Sequence, residues 1–330
     1  MSEQKKEVVL SGVRPTGPQH LGNLVGALRN WLKLQDLYQC FYTIVSWHAL
    51  SSEYMNSKGI KDNALEVALD WLGIGLDPEK CVMFLQSEVK EHAELHLILS
   101  MVTPLPWLER VPTFKEMQQE LQDRDLNTYG FLGYPVLQAA DIVIYKASFV
   151  PVGEDQASHL ELTREIVRRF NRIFGPIFPE PQTLLTEVPR LAGTDGRKMS
   201  KSFGNAILIK DPPEIVRQKI MPMVTDTRRM RRSDPGEPND CPVFTLHKAF
   251  VPKEKQDEIA HGCRTAGIGC RECKAVMLDY LIKALEPVWE RRKAFEKNPK
   301  LVWNILEEGN KKARRAAEQT MDEVRAALGF

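Results

Sequence analysis

The sequence lacks a long hydrophobic run. No stretch reaches 18 consecutive apolar residues, the length that a membrane-spanning helix requires. The first residues, MSEQKKEVVLSG, are charged and lead into a strand-like segment, unlike the apolar core of a signal peptide. We therefore expect a cytoplasmic protein without membrane contact.

The sequence also lacks net charge. Lys and Arg number 45 against 44 Asp and Glu, a formal charge of +1. This balance excludes nucleic-acid binding through a global positive field, so any such contact must come from local patches. Two patches stand out, TDTRRMRRSD around residues 228–232 and NKKARRAA around residues 311–315. Each is equally typical of a solvated surface.

Cysteine is scarce, and its distribution is uneven. Six cysteines in a cytoplasmic chain of 330 residues argue against a disulfide framework. Cys40 and Cys81 lie in apolar surroundings, as core residues do. The remaining four follow the spacing C-x21-C-x6-C-x2-C and are Cys241, Cys263, Cys270 and Cys273. Four thiolates suit either zinc or a [4Fe-4S] cluster. A zinc ribbon usually has two C-x2-C pairs and this chain has one, which favours the cluster over zinc or unligated cysteines.

The residues that are abundant indicate an α/β fold. A chain of this length, 43% hydrophobic, can bury the cores of two domains. Strand-like runs at 7–12, 40–46, 82–87 and 142–150 alternate with helical patterns such as 20–37 and 60–72. This alternation predicts a Rossmann-like parallel sheet over residues 1–205, with ligands at the carboxyl ends of the strands. Helical patterns dominate residues 206–330, which we predict to form an α-helical domain.

Two segments carry chemistry. In GVRPTGPQHLGNLVGAL, the prolines and glycines predict an extended turn after the first strand, with a helix starting near His20. Gly22 in its first turn leaves room for a ligand, toward which His20 and Asn23 would point. In GTDGRKMSKSFGN, three positive charges lie among glycines 193, 196 and 204. Such a mobile cationic loop can close on an anion.

The HLGN and KMSKS segments together resemble the two signatures of the class I aminoacyl-tRNA synthetases. With YPVLQAADIVIY and VPVGEDQASHLELTREIVRRFN added, the chain resembles the bacterial tryptophanyl-tRNA synthetases over most of its length. The resemblance implies a homodimeric ligase that activates L-tryptophan with ATP and Mg²⁺ and transfers it to the 3′ end of tRNA(Trp). It also implies that the helical domain recognises the anticodon. The cysteine spacing resembles a minority subtype with a four-iron cluster beside the anticodon-binding region.

The resemblance also assigns roles to residues. The implied catalytic residues, which would stabilise charge while the tryptophan carboxylate attacks the α-phosphate, are His20, Asn23, Lys198, Lys201 and Ser202. The implied ATP contacts are Arg14, Pro15, Thr16, Gly22, Asn23, Gly153, Glu154, Asp155, Lys198, Met199, Ser200, Lys201 and Ser202. The implied tryptophan contacts are Asp141, Tyr134, Gln156, Gln138 and His48. Asp141 would accept the indole N–H, although a helix cap or ion-pair partner is an alternative, and His48 is equally typical of a core histidine.

Three other functions are compatible with parts of the sequence. Tyrosyl-tRNA synthetases share the fold and both signatures, but the AAD and GEDQ contexts favour tryptophan. A regulatory RNA-binding paralogue without aminoacylation activity is disfavoured by the intact signature residues. A small-molecule nucleotidyltransferase explains neither KMSKS nor the helical domain.

Overall fold

The computed structural model describes residues 6–111, 126–152, 157–185 and 190–330. Its centre is a five-stranded sheet with the strand order β3-β2-β1-β4-β5, in which every pair of neighbours is parallel. The strands are β1 (Val8–Val13), β2 (Gln39–Ile44), β3 (Cys81–Leu85), β4 (Phe149–Val152) and β5 (Gln182–Leu185). The predicted parallel sheet of a Rossmann-like fold is confirmed.

Helices connect the strands and form the carboxyl-terminal part. The first half contains α1 (Leu21–Asn23), a π-helical turn (Leu24–Leu28), α2 (Arg29–Leu37), α3 (Ser46–Glu53), α4 (Ile60–Ile74), α5 (Glu91–Val102), α6 (Leu105–Glu109), α7 (Tyr129–Leu132), α8 (Tyr134–Ile144) and α9 (Ala157–Phe174). The second half contains α10 (Pro213–Ile220), α11 (Pro242–Phe250), α12 (Lys253–Arg264), α13 (Cys270–Glu296) and α14 (Pro299–Leu328). Short 3₁₀ turns occupy Tyr54–Gly59, Gln86–Glu88 and Pro238–Asp240.

A separate hydrophobic core packs against each face of the sheet. Because side chains alternate along a strand, β2 sends Tyr42 to one face and Phe41 to the other. Tyr42 stacks on Trp31 with ring centroids 4.3 Å apart, and this core continues into α13. Phe41 stacks on Tyr145 at 4.5 Å in the core formed with α5, α8 and α9. The strands, and the residues that follow their carboxyl ends, are thus anchored by a packed core on each face of the sheet.

The last helix closes the edge of the sheet. A Cβ on Gly309 of α14 would lie 1.8 Å from the carbonyl oxygen of Met83, so glycine is required for this close approach. One residue further on, the Oδ1 atom of Asn310 accepts the N–H of Leu85 at 2.8 Å. This side chain satisfies an edge-strand donor that would otherwise invite pairing with another chain.

One predicted strand needs correction, and one observed strand was not predicted. The run at 142–150 is not one strand, because α8 continues to Ile144 and β4 begins only at Phe149. A short apolar run fits a buried helix and a buried strand equally well. Strand β5 was not predicted, since its four residues are too few to give a periodic signal.

Candidate active site

The turn after β1 ends in a tightly capped helix. The N–H of Asn23 donates to Nδ1 of His20 at 3.2 Å, and the N–H of His20 donates to Oδ1 of Asn23 at 3.0 Å. This is a reciprocal capping box. A Cβ on Gly22 would lie 2.9 Å from the His20 ring. The glycine therefore makes room for that ring, whereas the sequence suggested room for a ligand.

The capping bond defines which nitrogen of His20 is available. Burial, followed by the charges of Lys201 and Lys198, lowers the pKa of His20 to about 4. The ring is therefore neutral at pH 7. Because Nδ1 accepts the Asn23 N–H, the proton of the neutral ring lies on Nε2. His20 thus offers one hydrogen-bond donor and no charge.

Backbone bonds hold the two signature segments together. The N–H of Leu21 donates to the carbonyl of Ile207 at 2.9 Å, and the N–H of Ile209 donates to the carbonyl of Gln19 at 2.8 Å. From the KMSKS segment, Nζ of Lys201 donates to the carbonyls of Thr16 and Gly17 of the first turn, both at 3.1 Å. Burial lowers the pKa of Lys201. The structure thus brings the predicted catalytic segments to one place.

The KMSKS segment is held by a residue that sequence reasoning missed. Asn205 is buried, accepts the N–H of Ser200 at 2.8 Å and donates to the carbonyl of Lys198 at 3.1 Å. It also donates to Oδ1 of Asp195 at 2.7 Å. A Cβ on Gly193 would lie 2.3 Å from the Asn205 side chain. The loop therefore has a defined shape, and Gly193 serves packing rather than the expected mobility.

The other predicted residues of this segment differ in exposure. Met199 is 3% exposed and lies in the core, so its side chain is not a candidate ATP contact. Its N–H donates to the carbonyl of Leu191 at 3.0 Å. The hydroxyls of Ser200 and Ser202 lie 2.8 Å apart. Lys198 is exposed. The outward-facing groups of the segment are thus its lysines and serines.

A buried ion pair lies under the first turn. The N–H of Gln19 donates to Oδ2 of Asp70 at 2.7 Å. The other oxygen of Asp70 accepts from Nη1 of Arg292, which comes from α13 in the second half of the chain. Arg292 also donates to Oε2 of Glu66 at 2.6 Å. The position of the turn thus depends on a helix far along the sequence.

A cavity of about 380 Å³ opens at the carboxyl ends of β1 and β2. This volume lies within the range for small-molecule sites. Most of the residues predicted to bind tryptophan line it, together with one predicted ATP contact: Arg14, His48, Tyr134, Gln138 and Asp141. The structure thus brings these residues together. Four further predicted contacts, Gly153, Glu154, Asp155 and Gln156, lie outside the described residues.

Three side chains donate hydrogen bonds to the carboxylate of Asp141. Its Oδ2 accepts from Nε2 of His48 at 2.9 Å, and its Oδ1 accepts from Nδ1 of His92 at 2.6 Å. Nε2 of Gln86 lies 2.8 Å from both oxygens. Burial would raise the pKa of Asp141, but His92 and His48 outweigh it and hold that pKa well below its usual range. Sequence reasoning missed Gln86 and His92, because no local pattern links residues 55 and 49 positions away.

Two further polar side chains of the cavity are also engaged. The hydroxyl of Tyr134 lies 2.9 Å from Nε2 of His159, which is buried beside it. Nη2 of Arg14 bonds Oγ of Ser52. The side chains of Tyr134 and Arg14 are therefore oriented before any ligand binds.

The four late cysteines line one small pocket, and each lies at a helix end. Cys241 precedes α11, Cys263 is in the last turn of α12, and Cys270 and Cys273 open α13. Burial, followed by the neighbouring thiols, raises the pKa of Cys273 to about 12. A Cβ on Gly236 would lie 2.8 Å from the sulfur of Cys263, so glycine leaves room for it.

The fit of this pocket to a metal is incomplete as the side chains stand. Its volume is about 20 Å³, close to that needed for one water. Within residues 6–111, 126–152, 157–185 and 190–330, no group of three or more His, Cys, Asp and Glu side chains is placed to hold a metal ion. The number and type of donors match a four-thiolate site, although the described side chains are not arranged as one.

Three residues of the basic patches have carboxylate partners within the chain. Arg228 pairs with Asp226 and Asp240, and Arg232 pairs with Glu272. In the second patch, Lys311 pairs with Glu308, and Arg314 donates to the carbonyl of Glu88. Their composition alone is therefore a weak signal of RNA contact.

The chain is similar in sequence to known tRNA synthetases. The family model for class I tRNA synthetases (W and Y) matches residues 2–286. A tryptophan-tRNA ligase from Thermotoga maritima is 51% identical, with 98% of this chain and 99% of that protein covered. One from Aquifex aeolicus is 44% identical with the same coverage.

A solved structure extends the similarity to three dimensions. The tryptophanyl-tRNA synthetase of Campylobacter jejuni, complexed with ADP and tryptophan, superposes with a TM-score of 0.87 at 33% identity. The match covers 98% of this chain and all of the other. Among the described helices, none is long and apolar enough to cross a membrane. The chain belongs to the class I aminoacyl-tRNA synthetases, in the group of the bacterial tryptophanyl-tRNA synthetases.

Proposed function

We propose that this tryptophan-tRNA ligase forms tryptophanyl-adenylate between its 380 Å³ cavity and the adjoining HLGN and KMSKS segments. The tryptophanyl group then passes to the 3′ end of tRNA(Trp). The observation that carries this assignment is a buried, ionised carboxylate facing an apolar cavity beside a turn that holds cations. The carboxylate suits an aromatic amino acid whose ring has one N–H, and the cations suit a polyphosphate.

At the amino-acid end, Asp141 accepts the indole N–H, and Tyr134 and Gln156 bind the α-amino group. Gln138 and His48 flank the ring. A buried acceptor selects for a ligand that satisfies it, because a ring that displaces one of its donors without supplying an N–H leaves the carboxylate under-bonded. The same property disfavours the side chains of tyrosine and phenylalanine.

At the phosphate end, Lys198 and Lys201 stabilise negative charge as the tryptophan carboxylate attacks the α-phosphate and diphosphate departs. Lys201 already lies against the turn through its bonds to Thr16 and Gly17, and it exchanges these carbonyls for phosphate oxygens. The neutral His20 donates from Nε2. ATP arrives as its Mg²⁺ complex, in which the phosphates supply ligands to the ion.

The two parts of the chain divide the work. Residues 1–205 form the catalytic domain, and residues 206–330 recognise the anticodon. Because α14 also packs on β3, the helical part is anchored to the catalytic sheet rather than tethered by a loop.

Charging assays test the function directly. The purified chain should acylate a tRNA(Trp) transcript with tryptophan and leave a tRNA(Tyr) transcript from the same organism uncharged. Charging of tRNA(Tyr) with tyrosine would replace this proposal with the tyrosyl alternative. Failure with both, despite normal adenylate formation, would favour the regulatory paralogue.

We further infer that Cys241, Cys263, Cys270 and Cys273 bind a [4Fe-4S] cluster. Their single C-x2-C pair and their convergence on one pocket support this inference, as does the space that Gly236 leaves for a sulfur. When bound, the cluster supplies a cross-link among α11, α12 and α13 rather than redox chemistry. Metal binding at such a site contributes to folding.

Anaerobic purification with iron supplied tests the cluster. The protein should be brown and contain about four irons and four sulfides per chain. Cys270→Ser should lose the colour and loosen the helical part, whereas Cys40→Ser, in the sheet, should keep the colour. Stoichiometric zinc without iron or acid-labile sulfide would replace the cluster with a zinc site.

We also propose a homodimer, with a second copy covering the apolar surface around α5. Leu97, Met101 and Leu105 are 55%, 74% and 59% exposed. The adjoining groove of about 500 Å³ is lined by Trp47 and Leu50, among others. Contiguous exposed apolar surface marks an interaction site.

Light scattering should give twice the chain mass, and the double variant Leu97→Glu, Met101→Glu should give the mass of a single chain. Met230→Glu, at a residue 84% exposed elsewhere, is the matched control. A monomeric wild type would contradict the dimer.

A further inference from the structure

His92 is a buried residue that the sequence did not single out. It lies in the first turn of α5 and is 0% exposed. Both of its ring nitrogens have partners, since Nδ1 lies 2.6 Å from Oδ1 of Asp141 and Nε2 lies 2.7 Å from the hydroxyl of Tyr145. Unlike His48, it is not among the residues that line the 380 Å³ cavity. His92 therefore acts on a ligand only through Asp141.

The two bonds of His92 determine its tautomer. An ionised carboxylate only accepts hydrogen bonds. Nδ1 of His92 must therefore carry a proton, which it donates to Asp141. Burial and the charge of Asp141 raise the pKa of Tyr145 well above its ordinary value, so its hydroxyl keeps its proton. In the neutral tautomer with its proton on Nδ1, Nε2 of His92 accepts from this hydroxyl. The chain Tyr145 to His92 to Asp141 is then satisfied at every atom.

The carboxylate of Asp141 has little acceptor capacity to spare. It offers about four lone-pair sites, and His48, His92 and Gln86 make four contacts with it. An incoming indole N–H must therefore replace one of these donors. His48 lines the cavity and lies on the side of the ligand. Gln86 is buried and accepts the N–H of Trp47 at 3.0 Å, which fixes its amide.

We propose that His92, oriented by Tyr145, is a positioning residue for tryptophan specificity. It holds Asp141 in the rotamer in which the carboxylate accepts the indole N–H, while His48 is the donor that gives way. This inference rests on the proposed role of Asp141 as the acceptor of that N–H. Without the Nδ1 donor, Asp141 would turn toward its remaining partners and lose its alignment with the ring.

A substrate pair isolates this effect. Benzothienylalanine has the shape of tryptophan but carries sulfur in place of the indole N–H. The ratio of kcat/KM for tryptophan to that for benzothienylalanine, measured by pyrophosphate exchange, reports the bond to Asp141. His92→Leu should lower this ratio by on the order of 10-fold, the scale of one buried hydrogen bond. The change should fall mainly on the KM for tryptophan, with the KM for ATP unchanged.

Two conservative variants provide the matched comparison. In His92→Asn the side-chain amide nitrogen replaces Nδ1, so the ratio should stay within about threefold of the wild type. In His92→Gln the amide lies where Nε2 was, so the ratio should fall as in the leucine variant. Tyr145→Phe should lower the ratio less. It removes the hydroxyl that fixes the tautomer of His92 but keeps Nδ1 as a donor to Asp141. If the leucine variant does not fold, the asparagine and glutamine pair decides.

Asp141→Ala separates the two levels of the inference, because it removes the acceptor. A lowered ratio in Asp141→Ala, with wild-type ratios in folded His92→Leu and His92→Gln, would overturn the role of His92 alone. A wild-type ratio in Asp141→Ala would instead contradict the proposed recognition of the indole by Asp141. Equal loss of activity toward both substrates in the His92 variants would point to a structural role and also overturn the inference.

Discussion

The two ends of the candidate site are built differently. The amino-acid end is organised by bonds between buried side chains, centred on Asp141 and including the pair of Tyr134 and His159. At the phosphate end, side chains bond mainly to the backbone, as Asn205 and Lys201 do, and Lys198 is exposed. Selection among rings requires a preorganised acceptor, whereas handling a triphosphate requires cations that can exchange partners.

This difference predicts different consequences of mutation. Changes at the amino-acid end should alter the choice of substrate, and changes at the phosphate end should alter the rate of adenylate formation. The support beneath each end should alter stability.

The largest effect should come from the buried ion pair beneath the phosphate end. Arg292→Ala leaves Asp70 buried without its guanidinium partner, which costs about 3–5 kcal/mol. Denaturant unfolding should show this loss, and Lys293→Ala, at an exposed position on the same helix, should show little. Arg292→Met combined with Asp70→Asn should recover part of the stability. A single variant as stable as the wild type would mean that the pair does not support the turn.

Removal of a lysine should come next. Lys198→Ala or Lys201→Ala should slow pyrophosphate exchange by on the order of 100-fold or more, the scale for losing one transition-state stabiliser. The affinity for tryptophan should barely change, because the amino-acid end is separate. Lys210→Ala, which removes one of the two basic partners of Glu66 just beyond the segment, is the control. Wild-type rates in both lysine variants would refute the transition-state role.

A smaller effect should follow from Asn205→Ala. The variant removes the bonds to Ser200, Asp195 and Lys198, so Lys198 and Lys201 are less well placed. Pyrophosphate exchange should fall by about 10-fold, corresponding to one or two buried hydrogen bonds. The ratio of tryptophan to benzothienylalanine should stay constant. A change in that ratio would connect the two ends and weaken the comparison.

The smallest effect concerns pH. Folding lowers the pKa of His20 from 6.5 to about 4, so the unfolded chain binds more protons between these values. The contribution of His20 to stability is therefore complete above pH 6.5 and is lost as the pH falls toward 4. His20→Asn keeps a capping side chain but does not titrate. The stability advantage of the wild type over this variant should shrink between pH 6.5 and pH 4, and a constant difference would contradict the neutral His20.

The sequence predicted the parts of the site that local patterns encode. The HLGN turn follows β1 as expected, and Asp141 and Tyr134 face one cavity. The donors to Asp141 were not predictable, because His92 and Gln86 come from elements that only the fold brings near. Asn205 was visible in the quoted loop, yet its role depends on the space that Gly193 leaves.

The same limit applies to Arg292. It is 222 residues from Asp70, and its charge alone would place it on the surface. Long-range polar pairs of this kind require the packed structure, since neither propensity nor periodicity encodes them.

Pyrophosphate exchange with each of the twenty amino acids tests the central claim most directly, with Asp141→Ala beside the wild type. In the wild type, tryptophan alone should support exchange. In Asp141→Ala, the KM for tryptophan should rise and discrimination against phenylalanine and tyrosine should relax, because the acceptor of the N–H is gone. Exchange with tyrosine in the wild type, or unchanged selectivity in Asp141→Ala, would contradict the account.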